Sequence, residues 1–269
     1  MSLGDVNHNV DNSSPISNTN LLDNWYLVDP INQREVSGVI IKKDYFIDRW
    51  ILVDGSVEIT PEGLLLNGQI QQKIENSIGE ENIVATALTT EGILQAEYDD
   101  SIKTFSITAE NKIIVAAKLE VGKQQTLAYI EDGTYHILDH VPDYTHRMLT
   151  CQRYFYAVPK TNNDRICFSN CTQSGGYNAK EFDVEISLPV RLRIFPTFTY
   201  NADEMTFTSY GTTANFDTKF VITSISFSGW SSVNLLKLYF NSATNTAYEK
   251  SGTVQMAGTN LYMHFSADL

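Results

Sequence analysis

The chain has 269 residues, of which 42% are hydrophobic, 11% aromatic and 19% charged, enough apolar sequence for one large or two ordinary packed domains and too much for a disordered chain. Its 19 lysines and arginines stand against 32 aspartates and glutamates, a formal net charge of −13, and without a basic run to neutralise phosphates we predict no nucleic-acid partner. No stretch reaches the ~18 apolar residues that span a bilayer, which predicts no membrane insertion.

The N-terminal residues and the cysteines bear on where the protein is assembled. Residues 1–19 are polar and lack both the basic and the apolar region of a secretory signal, so we expect a flexible arm. Cys151, Cys167 and Cys171 are too few for a disulfide scaffold, and the sequence near them lacks four zinc ligands. We therefore expect free, partly buried thiols in a protein assembled in a cytosol.

Residues 20–127 have the pattern of many short strands. Segments such as GLLLNGQIQQKI, NIVATALTT, KTFSITA and KIIVAAKLEV are rich in β-forming residues or alternate in polarity. Turn signals lie between such segments, among them VDGS, LNGQ, TTEG and AENK. Short strands with regular turns predict a sandwich or a barrel rather than βαβ units.

Residues 128–158 differ from the strands on either side. EDGTY at 131–135 predicts a small hairpin. A helix should follow, because Pro142 and Asp143 suit a first turn and no Gly or Pro intervenes before Pro159. Spacings of four, three and four place one apolar stripe on this helix, formed by Tyr144, Met148, Cys151 and Phe155. We expect the stripe to be buried as a joint between two domains, with Arg147 and Arg153 facing solvent or partner carboxylates.

Residues 159–269 return to strand patterns such as KFVITSISFSGW and NLLKLYFNSAT. Several phrases occur together along the chain: NLLDNWYLVDPINQRE at 20–35, DYFIDRW at 44–50, AAKLEVGKQQTLAY at 116–129, LTCQRYF at 149–155, LPVRLRIFPTFT at 188–199 and FSADL at 265–269. In combination they resemble the distal tail-fibre and minor structural proteins of phages and prophages of Gram-positive gut bacteria. KLEVG at 118–122 departs from the KLELG of that family.

The resemblance implies an architecture. The family has an N-terminal jelly-roll similar to carbohydrate-binding modules, a connecting segment with a CQRY helix, and a C-terminal β domain. We therefore predict a mainly β protein with a flexible arm at 1–19, a jelly-roll β-sandwich at 20–127, a hairpin and helix connector at 128–158, and a C-terminal β-sandwich at 159–269. The family supplies no catalytic motif to transfer.

Enzymatic chemistry finds little support in the residues. The chain has no G-x-S-x-G, H-E-x-x-H, P-loop or G-x-G-x-x-G motif, and Cys151 on an apolar stripe lacks the exposure that a nucleophile needs. Three acidic pairs lie in turn-like contexts, where solvated loop acids are the favoured interpretation: Glu80–Glu81, Asp99–Asp100 and Glu131–Asp132. His136 and His140 have i,i+4 spacing in a segment that looks like strand and turn. We predict no metal and no cofactor.

Carbohydrate recognition needs aromatic rings that stack on sugar faces and polar side chains that bond hydroxyls. Trp25 and Trp50 lie in phrases shared with the jelly-roll, and core packing is favoured for both. Trp230 in FSGWSS and Tyr177 in SGGYN lie in polar turns, where a sugar and a domain or subunit contact are equally good interpretations. The candidate carbohydrate-binding residues are Trp230, Tyr177, Tyr210 and Tyr45.

The leading functional hypothesis is a non-enzymatic tail-fibre protein of a phage or prophage virion, assembled in the bacterial cytoplasm. Its expected partners are a host-surface glycan and other tail subunits, and the resemblance implies an oligomer, with a trimer the usual form for fibres. One alternative is a purely structural fibre or baseplate module. Another is a glycan depolymerase, which would need two carboxylates facing each other in an open cleft, one with a raised pKa.

Overall fold

A computed structural model describes residues 17–79, 82–161, 163–174, 180–209, 219–242 and 251–268. The predicted mainly β fold is confirmed, since strands dominate and the described part holds a single helix, α1 (Tyr144–Gln152). Two compact units divide the chain. Unit 1 comprises Met1–Pro30, Val36–Phe46 and Trp50–Pro142, and unit 2 comprises Ile31–Glu35, Ile47–Arg49 and Asp143–Leu269. The predicted hairpin thus groups with unit 1 and the helix with unit 2.

Unit 1 is built on an eight-stranded antiparallel sheet with the order β1-β3-β4-β8-β5-β6, in which β2 also pairs with β3 and β7 with β8. Its strands are β1 (Val39–Ile40), β2 (Tyr45–Ile47), β3 (Trp50–Thr60), β4 (Gly63–Lys73), β5 (Ile83–Thr89), β6 (Gly92–Gln95), β7 (Glu97–Asp99) and β8 (Thr104–Val121). The predicted jelly-roll has two sheets, whereas the described hydrogen bonds join all eight strands into one.

The sheet has fewer and longer strands than the turn signals predict. VDGS and LNGQ lie inside β3 and β4, where Gly55 pairs with Gly68. The pairing register shifts beside this pair, between Leu52 and Asp54 in β3 and between Leu66 and Gly68 in β4. A Cβ on Gly68 would lie 2.1 Å from the Asp54 carbonyl oxygen, so the two backbones approach as only glycine allows. AENK lies inside β8, an 18-residue strand, with Asn111 at φ 50°. These signals mark bulges, and the turn predictions at these three places are wrong.

The predicted hairpin is confirmed. β9 (Ala128–Glu131) pairs with β10 (Thr134–Ile137) through a two-residue turn. Asp132 and Gly133 both have positive φ, as this tight hairpin turn requires. His136 therefore lies on a strand, where its ring stacks on that of Tyr129.

Helix α1 is shorter than its apolar pattern predicts. It begins after Asp143, whose side chain accepts a hydrogen bond from the His146 N–H at 3.0 Å. It ends at Gln152, because the aromatic residues that follow pair with another strand, Phe155 lying opposite Ser266. The predicted stripe is therefore wrong in part: Tyr144 is 53% exposed and Phe155 is not helical.

The burial of the remaining residues on this helix is mixed. Cys151 is buried, as predicted, and Met148 is half-buried. Arg147 is only 8% exposed, against the expectation that it faces solvent, while Arg153 is exposed. The guanidinium of Arg147 lies 5.8 Å from the centre of the Tyr144 ring. The proposed role of this segment as a domain joint stays a prediction.

Unit 2 combines a closed barrel with a small sheet. Six antiparallel strands close in the order β12-β13-β17-β16-β15-β18, and the sheet has the order β11-β19-β14. The strands are β11 (Phe155–Ala157), β12 (Arg165–Ser174), β13 (Glu181–Ser187), β14 (Thr197–Asn201), β15 (Glu204–Ser209), β16 (Lys219–Phe227), β17 (Leu235–Ser242), β18 (Ser251–Ala257) and β19 (Tyr262–Ser266). The sequence predicts a β-sandwich at 159–269, whereas the described strands form a closed barrel and a three-stranded sheet, because β12 pairs with both β13 and β18 and so closes the main sheet.

The core of unit 2 is apolar and continuous. Buried residues of the barrel and of the small sheet belong to one cluster. Within it the rings of Phe182 and Phe207 stack with centroids 3.8 Å apart. In β17 alternate residues are buried, from Leu236 to Phe240, so their neighbours face outward, as a closed barrel requires.

Candidate functional site

The four predicted sugar-binding aromatics have different settings. Tyr177 and Tyr210 lie outside the described residues. Tyr45 is a half-buried residue of β2. Trp230 is 81% exposed in the β16–β17 turn. Tyr45 belongs to unit 1 and Trp230 to unit 2. Trp25 and Trp50 are buried, as the core interpretation predicts.

The turn that carries Trp230 is closely hydrogen-bonded. The Trp230 N–H donates to Ser228 Oγ at 3.2 Å, and Ser231 Oγ donates to the Lys237 carbonyl at 2.7 Å. A segment with exposed Ile194 and Phe195 runs beside the turn, joined to it by a hydrogen bond from Leu192 N–H to the Val233 carbonyl. This part of unit 2 therefore presents several apolar side chains to solvent on a fixed backbone.

A polar concave surface lies on the sheet of unit 1. It is a depression of about 650 Å³, within the range of small-ligand sites, lined by residues of β4, β7, β8 and the β7–β8 turn. Ile70, Phe105 and Ile107 alternate with the lining residues and are fully buried. The depression therefore occupies the sheet face opposite the core.

One cross-strand row lies at the centre of this face. Gln71 of β4 pairs with Ser106 of β8, and Ser106 pairs on its other side with Glu97 of β7. Directly paired residues point to the same face, so an amide, a hydroxyl and a carboxylate stand side by side over roughly 10 Å. We refer to Gln71, Ser106 and Glu97 as the polar row.

The side chains of the polar row make no hydrogen bond to any residue that the structure describes. Ser106 is only 8% exposed as a residue, but it lines the depression and its hydroxyl is not among the fully buried atoms that lack a partner, so the hydroxyl is open to the depression. By contrast, the neighbouring row is satisfied within the protein, since Lys73 Nζ donates to Thr104 Oγ1 at 2.6 Å. The polar row thus offers donors and acceptors to an external ligand.

Fixed carboxylates border the polar row on the β7 side. Hydrogen bonds from Ser77 and then Tyr98 hold the pKa of Asp100 down at about 2. A hydrogen bond from the Ser101 hydroxyl to Asp99 lowers the pKa of that carboxyl as well. Burial, followed by the bond from its own hydroxyl to Asp100, raises the pKa of Tyr98 to about 12, so Tyr98 acts as a donor at ordinary pH.

A buried ion cluster lies elsewhere in unit 1, on the same strand β8. Lys118 Nζ donates to Asp139 Oδ1 at 2.6 Å and lies 3.7 Å from Glu120 Oε2. The three side chains are at most 8% exposed. Thr126 N–H donates to Glu120 Oε1 at 2.7 Å. These bonds tie the end of β8 to the segments that carry Thr126 and Asp139, which is a structural role.

Unit 2 has its own buried polar cluster, built partly from its two early segments. Asp48 accepts bonds from Gln33 N–H at 2.7 Å and from Gln33 Nε2 at 2.8 Å, and burial raises the pKa of Asp48 to about 6. Arg34 pairs with Asp268 and lies 3.8 Å from the centre of the Phe155 ring. Burial and then the Arg34 charge lower the pKa of His264 to about 4.

The three thiols differ in burial, and the predicted acidic pair Glu80–Glu81 lies outside the described residues. Cys151 and Cys171 are buried, and burial raises the pKa of Cys171 to about 11. Cys167 is exposed, against the expectation of partial burial. Over the described ranges, no three histidine, cysteine or acidic side chains come together around a potential metal position. No helix in the described part is both long enough and apolar enough to cross a bilayer.

Sequence reasoning missed the polar row. The site residues predicted from the sequence are aromatic, whereas the row consists of Gln71, Ser106 and Glu97, which come from three strands and form no local motif. The only available signal was the alternation in GQIQQK and FSIT, which places polar residues on one face. No protein-family model, curated protein or solved structure matches this chain.

Proposed function

We propose that the chain is a non-enzymatic structural component of a bacteriophage or prophage tail, and that unit 1 binds a host cell-surface carbohydrate. The observation that carries the binding proposal is the polar row, whose unpartnered amide, hydroxyl and carboxylate line a depression of about 650 Å³. Sugars present many hydroxyl groups that both donate and accept, and such a row can bond several of them at once. The resemblance noted in the sequence supplies the virion setting.

The shallow form of the site suits multivalent binding. A solvated polar face gives weak affinity at each site, because ligand and protein groups exchange hydrogen bonds with water for bonds with each other. Several copies on one particle amplify such weak binding without new contacts. A trimeric fibre would supply three copies, which is the oligomer that the resemblance implies.

Glycan-array binding and titration with the best oligosaccharide test the proposal. We expect Ser106→Ala and Gln71→Ala each to weaken binding about three- to tenfold, since each removes one hydrogen bond. Ser187→Ala, an exposed serine of β13, is the matched control and should leave binding unchanged. Absence of binding to every glycan, or equal effects of Ser106→Ala and Ser187→Ala, would overturn the proposal. A hydrolysis assay on host-wall polysaccharide distinguishes binding from depolymerase activity by the release of oligosaccharides.

A purely structural role has one specific observation in its favour. Trp230, Ile194 and Phe195 are exposed in unit 2, and exposed apolar groups of this kind often mark subunit contacts. In this second proposal the chain assembles with other tail subunits or with copies of itself. Light scattering across a concentration series tests it, because Trp230→Ala should shift an oligomer towards the monomer, and a monomeric wild type would count against it.

A further inference from the structure

The depression on unit 1 is electrostatically one-sided. Gln69 and Gln71 of β4 line one side with uncharged amides, whereas Glu97, Asp99 and Asp100 line the side formed by β7 and its turn. No described residue that lines the depression carries a positive charge. The cation nearest in the sheet pattern is Lys73, one row away on β4, where it donates to Thr104.

Asp99 and Asp100 on the negative side keep their charge within the ordinary pH range. Hydrogen bonds from Ser101 to Asp99 and from Ser77 to Asp100 stabilise the ionised carboxylates and keep the pKa of each low. Tyr98 stays protonated and donates to Asp100. The repulsion among these carboxylates therefore persists in the free protein, and a bound cation would reduce it.

The second observation that indicates a ligand is Ser106. This residue is 8% exposed, lines the depression and has no hydrogen-bond partner among the described residues. Its pairing with Glu97 places the hydroxyl next to the charged side of the depression. A ligand that bonds Ser106 therefore comes within a few ångströms of a carboxylate.

We propose that the polar row binds a glycan whose sugar rings carry free amino groups. The ammonium group would lie on the β7 side near Glu97 and Asp99, and the ring hydroxyls would bond Ser106 and the Gln71 amide. An ammonium has three donors and no acceptor, which matches carboxylate oxygens better than a neutral acetamido group does. This inference rests on the proposed carbohydrate-binding function and adds the charge of the ligand to it.

The same charge distribution excludes polyanionic glycans. A uronate or a phosphodiester placed over the polar row would face Glu97, Asp99 and Asp100 without a compensating cation in the lining. Solvent-exposed charges are screened over about 10 Å at moderate salt, so both the preference and the exclusion should weaken as salt is added.

Two oligosaccharides of equal length provide the test: a chitosan hexamer, with free amines, and a chitin hexamer, in which the amines are acetylated. Calorimetric titration of the whole chain at pH 6 and low salt should give about three- to tenfold tighter binding of the chitosan hexamer. The difference should shrink in 0.5 M salt. A polygalacturonate oligomer should bind more weakly than either.

Glu97→Gln tests the assigned carboxylate, and Glu110→Gln, on an exposed glutamate of the same strand as Ser106, is the matched control. We expect Glu97→Gln to remove most of the preference for chitosan while binding of the chitin hexamer is retained. Equal affinities of the two hexamers for the wild type would overturn the inference and leave the proposed function intact. Failure of both hexamers, and of every array glycan, would overturn both.

Discussion

The open sheet of unit 1 and the closed barrel of unit 2 use similar strands in opposite ways. The barrel fills its interior with apolar side chains such as Phe182, Phe207 and Phe240. The sheet leaves only part of one face to solvent, and it buries the charged Lys118 and Glu120 on the same strand that carries Ser106. Closing a sheet removes its edges and turns one face into the interior, whereas the sheet of unit 1 keeps an open surface around its depression.

The two units should therefore respond differently to substitution. Unit 1 depends on a few specific contacts. These include the hydrogen bonds of Lys118 and the close backbone approach of Gly55 in β3 and Gly68 in β4. Trp230, in the β16–β17 turn, is mostly exposed and contributes little to the core of unit 2. Four experiments test this contrast, in order of decreasing expected effect.

Lys118→Met should have the largest effect. It leaves Glu120 and Asp139 buried without their cation, and breaking a buried ion pair in this way costs about 3–5 kcal/mol. Urea unfolding followed by fluorescence measures the loss. Lys112→Met is the matched control on the same strand, because the Lys112–Glu91 pair is partly exposed and should contribute less than about 1 kcal/mol. Equal losses in the two variants would contradict a special role for the buried cluster.

Gly68→Ala should come next. The added Cβ would meet the Asp54 carbonyl oxygen, and φ of 142° is unfavourable for alanine, so we expect a loss of about 3 kcal/mol or more. The melting temperature and the urea midpoint report the change. Gly229→Ala serves as control, since nothing lies within 4 Å of its Cβ position, and it should stay within about 0.5 kcal/mol of the wild type.

The pH dependence of unit 2 should be smaller and should have two opposing parts. The lowered pKa of His264 contributes stability that is full above about 6.5 and is lost as the pH falls through about 4. The raised pKa of Asp48 acts the other way, and its contribution is lost as the pH rises through about 6. His264→Phe should therefore leave a free energy of unfolding that decreases between pH 4 and pH 6.

Between pH 4 and pH 6, the free energies of unfolding of His264→Phe and of the wild type should diverge by about 1 kcal/mol, because the His264 ring is only partly buried. Chemical denaturation at pH 4.5, 5.5 and 6.5 measures it. His136→Phe, which replaces an exposed histidine in unit 1, should reproduce the wild-type profile. A His264→Phe profile identical to that of the wild type would rule out His264 as the source.

Trp230→Ala should have the smallest effect on stability, within about 0.5 kcal/mol, because the indole is mostly in solvent. Phe207→Ala in the barrel interior is the comparison and should cost about 3–5 kcal/mol. Thermal unfolding measures both. If Trp230→Ala instead lowers the melting temperature in a way that depends on protein concentration, Trp230 lies in a subunit contact.

The sequence allowed the strand content, the Asp132–Gly133 hairpin and the start of helix α1 to be predicted, because each depends on local chemistry. The Gly55 and Gly68 signals were misread because an Asp-Gly or Asn-Gly pair suits a hairpin turn and a bulge alike, and the pairing between distant strands decides which forms. Helix α1 ended early because Phe155 pairs with β19, more than a hundred residues later.

The polar row could not be predicted from local sequence patterns, because it too depends on pairing between distant strands. Gln71, Ser106 and Glu97 meet only when β4, β8 and β7 pair in the observed register. A shift of one residue in either pairing would turn the row towards the core, and no local pattern fixes that register. The exposure of Trp230 could be predicted from the sequence, because FSGWSS indicates a polar turn, while its role in binding stays a prediction.

The early segments of unit 2 have a consequence for how the protein is made. Arg34 pairs with Asp268 across a sequence separation of 234 residues, and Gln33 bonds Asp48 and the Phe155 carbonyl. During synthesis, Arg34 leaves the ribosome early, but almost all of both units must follow before its partner Asp268 exists. A fragment that starts at Asp143 would lack these residues, so the gene has no single position at which a cut yields a complete unit 2.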